Sequence, residues 1–431
     1  MRVGIIGGGI AGLTAAYELG KRGYRVELFE RDRELGGQAG TFQIAGERIE
    51  RFYHHIFGSD VDIIQLIAEL GLNDRLVWLN SNVGFFHGGR VYDFVTPVDL
   101  MKFTPLSLFD RLRLGLITLY LRRYGNWKSL EGITARDWLL RYGGNRNYDV
   151  IWGPMLRNKF GASADEVGMV WLWGKIHLRL SSRKGGKEQL GYMQGSFGTL
   201  LDKLRQKIEE SGGSIHTSSP VERIVIQNGK AVAVQSGGEQ YPCDAIIATV
   251  PSMAFLKMTP ELPQDYAAKL KNIGYQGAVI LVLTLKQPLT HIYWMNVSDP
   301  DVPFVALVEH TNFVSPDVYG GQRILYISNY LSTDSPLYSK SKEELLEVYM
   351  PHVQKFNPEF DATWVREIHI FREDAAQPIV GTGYSRNLPQ HMTPIENLYL
   401  ANTTQIYPED RGMNYSVRLG RKVALLAAKE D

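Results

Sequence analysis

A single cysteine, Cys243, stands in 431 residues, which excludes an intrachain disulfide and any all-cysteine metal centre and fits a reducing compartment. The ten histidines never adopt HExxH spacing, so no metal site is expected. Uninterrupted apolar runs of about 18 residues are lacking, so no spanning helix is expected. Lysine and arginine number 47 against 46 aspartates and glutamates; a net charge of +1 gives no molecule-wide basic field, and no nucleic-acid partner is expected. The apolar run after Met1 and Arg2 lacks the continuity of a secretory leader, being broken by Gly7, Gly8, Gly9 and Gly12 and ended by Glu18, so the expectation is a cytoplasmic protein.

What is present is an ordinary globular composition, 44% apolar and 22% charged. The length suits two or three structural units of about 150 residues. Residues 3–6 are apolar, 13–19 favour helix, and 24–30 form a second strand ending in an acid, together a βαβ unit. Helical patterns follow at 62–70, across 97–179 and at 200–210. From 214 to 250 the texture turns to strands, with Asn228-Gly229 a hairpin signal and Gly237-Gly238 another turn. Residues 278–285, 293–297, 303–311 and 323–331 are β-branched and aromatic, which predicts an antiparallel sheet. Ser341 with Glu344 forms a capping box opening a helix to about 356. A strand at 398–401 and a helix from about 414 close the chain.

Gly7, Gly9 and Gly12 form GxGxxG directly between a strand and a helix, with Ile10 and Ala11 as the intervening positions. The first glycine permits the tight turn, the second lets backbone approach a pyrophosphate, and the third lets helix pack on strand. Glu30, eighteen residues beyond Gly12, can accept hydrogen bonds from ribose hydroxyls. The pattern predicts a dinucleotide site.

Six residues past Glu30, a second glycine pair, Gly36-Gly37, precedes Gln38 and Thr41. This arrangement resembles the FAD fingerprint of the amine oxidase, protoporphyrinogen oxidase and phytoene desaturase superfamily, in which a basic residue usually stands at the position of Gln38. The resemblance implies non-covalent FAD, since the one thiol, Cys243, lies near the adenine-side strand. It implies cofactor contacts at Gly7, Gly9, Ile10, Ala11, Gly12, Glu30, Arg31, Gly36, Gly37, Gln38 and Thr41. It continues through 195–204, through Val221, which would lie against adenine, and through 398–424, where Gly412, Met413 and Asn414 would meet the pyrimidine edge of the flavin. Asn402 and Thr403 stand where the superfamily usually has Gly and an acid. The implied fold class is α/β: a Rossmann-like FAD-binding domain of glutathione-reductase type, built from 1–85, 190–265 and 386–431, with an inserted α+β substrate domain at 86–189 and 266–385. No second GxGxxG follows a strand and no CxxC occurs, which disfavours a disulfide reductase with two nucleotide domains.

The cluster FYHHIFGS at 52–59 matches the superfamily segment that approaches the isoalloxazine ring, and it is also similar to a segment of UDP-galactopyranose mutase. His54 is therefore expected beside the flavin, and His55 is a candidate to carry a proton. Glu309 is a second candidate, to orient substrate or accept its proton; alternation along its strand sends Glu309 and His310 to opposite faces. The expected activity is FAD-dependent oxidation, dehydrogenation or desaturation of a largely apolar, optionally anionic small molecule. A redox-neutral mutase and a non-catalytic binding protein of the same fold are the rivals.

Charge is uneven despite the balanced total. Residues 86–200 hold 17 Lys and Arg against 9 Asp and Glu, a net +8, and the remainder carries −7. Lys102, Arg111, Arg113, Arg122, Arg123 and Lys128 surround an apolar stretch at 114–121. That composition fits an interfacial helix touching anionic lipid and equally a buried helix with snorkelling ends, so peripheral membrane contact through 102–128 is an open expectation. A second basic group, Arg179, Arg183, Lys184 and Lys187, adjoins glycines and reads first as a solvated charge run, with a loop closing over an anionic substrate as the alternative. Nothing in the sequence sets an oligomeric state.

Overall fold

The apolar strand Arg2–Ile6 lies at the centre of a five-stranded, wholly parallel sheet. The order across it is Ser214–His216, Arg25–Phe29, Arg2–Ile6, Ala245–Ala248 and Leu398–Leu400. This is a computed structural model describing residues 1–429 except 182, 185 and 186. Val3, Ile5 and Ile247 are fully buried, as a parallel sheet covered on both faces requires. Helices Ile10–Lys21, Gly198–Glu210 and Met413–Ala428 cover one face. The meander Val221–Gln227, Lys230–Ser236 and Glu239–Pro242 packs on the other through Ile224 and Val234. Both of its turns, Asn228-Gly229 and Gly237-Gly238, take positive φ at both residues, the hairpin geometry their sequences predict.

A seven-stranded sheet forms the second layer, in the order Val365–Pro378, Tyr275–Leu285, Arg323–Leu331, Ala306–Glu309, Trp294–Val297, Val83–His87 and Arg90–Asp93. All its pairs are antiparallel except Trp294–Val297 with Val83–His87. The boundary placed at 85 in the sequence falls inside Val83–His87. Along Tyr275–Leu285, Ile280 and Val282 point toward the nucleotide unit, while Val279, Leu281 and Leu283 pack beneath the helix Lys342–Val353. Ser341 and Glu344 form the expected capping box on that helix, which ends at Val353 rather than near 356. A helical part with its own tryptophan-rich core, including Pro97–Lys102, Leu108–Arg123, Gly153–Phe160 and Met169–Ser181, stands beside this sheet. The whole is an α/β fold in which the parallel sheet carries the nucleotide motif. Among the described residues, no helix is long and apolar enough to cross a membrane. Cys243 is buried against Gly4, and burial pushes its thiol up to about 11.

Candidate flavin and substrate cavity

The two glycine turns meet. Gly36 N donates to Gly8 O at 2.8 Å, and Gly9 and Gly36 form a parallel bridge. A Cβ on Gly12 would lie 2.0 Å from Gly7 O, so this position admits no side chain. At Gly9, by contrast, the nearest non-adjacent atom to such a Cβ is Gly36 O at 4.0 Å, which leaves the approach to the backbone open. Glu30 is buried at the end of its strand; its Oε2 accepts from Gly8 N at 2.7 Å and its Oε1 from Asp32 N at 2.9 Å. Each oxygen keeps a lone pair for a ribose hydroxyl. Ile10 and Ala11 open the helix, and Ala11 O lies where a Cβ on Gly420 would approach to 2.5 Å, so the last helix packs directly on the first. This open backbone cradle, backed by a carboxylate, fits the diphosphate and ribose of FAD.

A cavity of about 630 Å³ adjoins the cradle. The nucleotide unit contributes Gln38, Arg411, Gly412, Met413 and Asn414 to its wall, the last two opening the 16-residue helix Met413–Ala428 with its positive end toward the space. Tyr53, His54, His55, Tyr293, Trp294 and Tyr330 supply an aromatic girdle, and the helical part adds Leu100, Leu114, Leu119, Met155, Leu172 and Ile176. Asn414 Oδ1 accepts from Asp62 N at 2.8 Å and Ile63 N at 3.1 Å, capping the helix Val61–Glu69 and fixing the start of the last helix against it.

One polar cluster in this wall escaped the sequence reading. Asp410 accepts from Lys159 Nζ at 3.0 Å and from Gln377 Nε2 at 3.0 Å, and it pairs with Lys175 Nζ at 2.8 Å. Burial would raise its carboxyl, but Lys159, Lys175 and Arg411 hold it well below the usual range. Burial, with Lys175 and Arg411 nearby, lowers Lys159. Arg411 donates to Gln377 Oε1, Tyr330 Oη and Gln38 Oε1 at 3.0, 2.8 and 3.3 Å. A charged anchor thus ties the nucleotide unit, the sheet and the helical part together. The available signal was a lysine set in an apolar helical stripe: Lys159 beside Leu156 and Phe160, Lys175 beside Leu172 and Ile176.

The candidates from sequence separate. His54 and His55 both line the cavity. His54 Nδ1 lies 2.5 Å from Phe52 O, and His55 Nδ1 lies 3.2 Å from Tyr293 Oη. Burial lowers His54 to about 4 and His55 to about 3, the charges of Arg179, His54 and Lys175 adding to the latter. Both rings are therefore neutral near pH 7, and so low a pKa makes His55 a weak proton acceptor. Glu309 is absent from the cavity wall: it is 2% exposed and receives Leu289 N at 3.0 Å and Thr290 N at 2.8 Å, fastening a loop. His310 lies buried with its Nε2 2.9 Å from Tyr319 Oη, also off the cavity. Thr41 starts the hairpin strand Thr41–Ile44 and edges a separate small recess with Arg48, while Arg31 is exposed beside Asp32. Val221 packs on the cluster containing Ile6 and Phe29. Of the second basic group, Arg179 pairs with Glu188 at 3.2 Å; the side chains of Arg183, Lys184 and Lys187 lie outside the described residues.

The comparisons with known proteins agree with this geometry. The chain is 21% identical over 466 residues to the 15-cis-phytoene desaturase of Synechococcus elongatus, covering all of this chain and 97% of that one. It is 24% identical over 283 residues to the tomato (Solanum lycopersicum) enzyme of the same name, where the match spans 61% of this chain and only 48%, about half, of the relative. Among solved structures, a protein assigned as a protoporphyrinogen oxidase from Exiguobacterium superposes with a TM-score of 0.79 at 16% identity, covering 100% of this chain and 99% of that chain. Reduced UDP-galactopyranose mutase superposes with a TM-score of 0.76 at 16% identity, covering 99% and 95%. The family model described as flavin containing amine oxidoreductase matches residues 10–424. The chain belongs to that family of FAD-dependent oxidoreductases.

Proposed function

We propose that the protein dehydrogenates a largely apolar small molecule, bound FAD supplying the hydride acceptor. The observation that carries this reading is the composition of the cavity wall: mainly aliphatic and aromatic side chains from the sheet and the helical part surround about 630 Å³, with the Asp410 cluster and the Arg179–Glu188 pair among them. Enclosure of this kind orients a C–H bond and excludes water, which supplies much of what such a transfer requires. The girdle of Tyr53, Trp294 and Tyr330 packs the substrate, and neutral His54 and His55 add hydrogen-bonding edges without charge. The wall carries Lys159, Lys175, Arg179 and Arg411 against Asp60, Glu188, Glu373 and Asp410, so it offers charged groups of both signs to a polar end of the substrate. Relatives named phytoene desaturase support an extended apolar substrate.

The test is an anaerobic titration of purified holoenzyme, following the oxidised-flavin absorbance near about 450 nm. Polyprenoids, porphyrinogens and amines are added in turn, with NADPH as the contrasting reductant. Stoichiometric bleaching by one of the first three, with an unsaturated or oxidised product, is expected. Bleaching by NADPH alone, followed by isomerisation of a nucleotide sugar without net oxidation, would replace this reading with a redox-neutral mutase.

A further inference from the structure

Eight of the sixteen large apolar side chains exposed among the described residues fall between 98 and 120: Val98, Met101, Leu108, Phe109, Leu112, Leu116, Leu119 and Tyr120. Six of them lie on the helix Leu108–Arg123. At about 100° per residue they occupy one sector roughly 120° wide, while Leu114, Ile117 and Leu121 fill the opposite, buried side. Phe109 is 70% and Leu116 68% exposed, in a helix whose inner face already has its core. Scattered apolar residues are normal on a surface, but a contiguous face on two adjacent helices is not.

The charges around this face are predominantly positive. Lys102, Arg122, Arg123 and Lys128 are exposed at its margins, and Arg122 and Arg123 form no ion pair with the described residues. The nearby acids are engaged in helix capping: Asp99 receives the backbone N–H groups of Thr96 and Val95, and Asp110 accepts from Ser107 Oγ. An apolar sector bordered by cations complements an anionic lipid surface. The same helices wall the cavity, since Pro97, Leu100, Leu114, Gly115, Thr118 and Leu119 line it. We propose that the helices Pro97–Lys102 and Leu108–Arg123 dock the protein on the surface of an anionic bilayer, with the substrate cavity behind the docked face. Docking is peripheral, because no described helix can span. Delivery of an apolar substrate through this face rests on the functional reading above; docking itself does not.

The experiment is co-sedimentation of the holoprotein, without substrate, with vesicles of phosphatidylcholine alone or containing phosphatidylglycerol. Salt-weakened binding to the anionic vesicles is expected. Phe109→Glu with Leu116→Glu lowers that partitioning at least about tenfold with FAD content unchanged. Arg122→Glu with Arg123→Glu removes the preference for phosphatidylglycerol. Failure to bind either vesicle at low salt overturns the proposal. So does elution of the wild type as a dimer that Phe109→Glu with Leu116→Glu converts to a monomer, which would assign the face to a second copy of the chain. Neither failure touches the flavin titration, so the two readings fall separately.

Discussion

Arg411 donates from Nη1 to Gln38 Oε1 at 3.3 Å, joining residues 373 positions apart in the sequence. Gln38 stands where the superfamily usually carries a basic residue, and here the cation comes from the other end of the chain. Gln38→Arg would set two guanidinium groups against each other in a partly buried site. The expected result is a loss on the order of 3 kcal/mol in denaturant-measured stability together with weaker FAD retention. Adding Arg411→Gln recovers most of it, and a double-mutant cycle reads the coupling.

Asp410 is the acid that pairs directly with Lys159 and Lys175, and Arg411 adds to their charge beside it. Asp410→Asn removes the buried counter-ion of Lys159 and Lys175, which are themselves only partly buried, and is expected to cost on the order of 1 to 2 kcal/mol. Lys175→Met in the same background restores part of that loss. Chemical denaturation of the wild type, both single variants and the double variant checks both expectations.

Glycine requirements can be ranked by distance. A Cβ on Gly12 would lie 2.0 Å from Gly7 O, and one on Gly420 2.5 Å from Ala11 O. Gly12→Ala is expected to yield colourless protein that does not take up added FAD. Gly420→Ala pushes the first and last helices apart and costs about 1 to 3 kcal/mol, with FAD bound less tightly. Absorbance spectra and fluorescence titration with FAD distinguish the two outcomes.

Acid sensitivity follows from His310. Burial lowers it from 6.5 to about 3, so the folded chain keeps it neutral where the unfolded chain takes up a proton. Its contribution is fully present above about pH 6.5 and is lost as pH falls toward 3. By about pH 4.5 the loss is on the order of 2 to 3 kcal/mol. His310→Gln is expected to flatten the fall in melting temperature between about pH 7 and pH 4.5, by removing this proton uptake.

The nucleotide unit was legible because its signals are local: three glycines, an acid and a second glycine pair all lie within residues 7–37. The strand Val365–Pro378 was not, because Arg366, Glu367, Arg372, Glu373 and Asp374 interrupt its apolar pattern. Its pairing with Tyr275–Leu285 over most of its length overrides that composition. Glu309 illustrates a different limit. Alternation says that neighbours face opposite ways but not which way each faces, and the carboxylate turned toward Leu289 and Thr290. The charged anchor was hidden because Lys159, Lys175, Gln377 and Asp410 come from separate elements and share no spacing.

The parallel sheet orders its strands 214–216, 25–29, 2–6, 245–248 and 398–400, and the last helix closes on the first through Gly420. The glycine turn at 7–12 and the wall residues Arg411, Gly412, Met413 and Asn414 beside its site stand about 400 positions apart in the chain. The N-terminal motif therefore does not complete its own site: part of the wall beside it comes from residues 410–415.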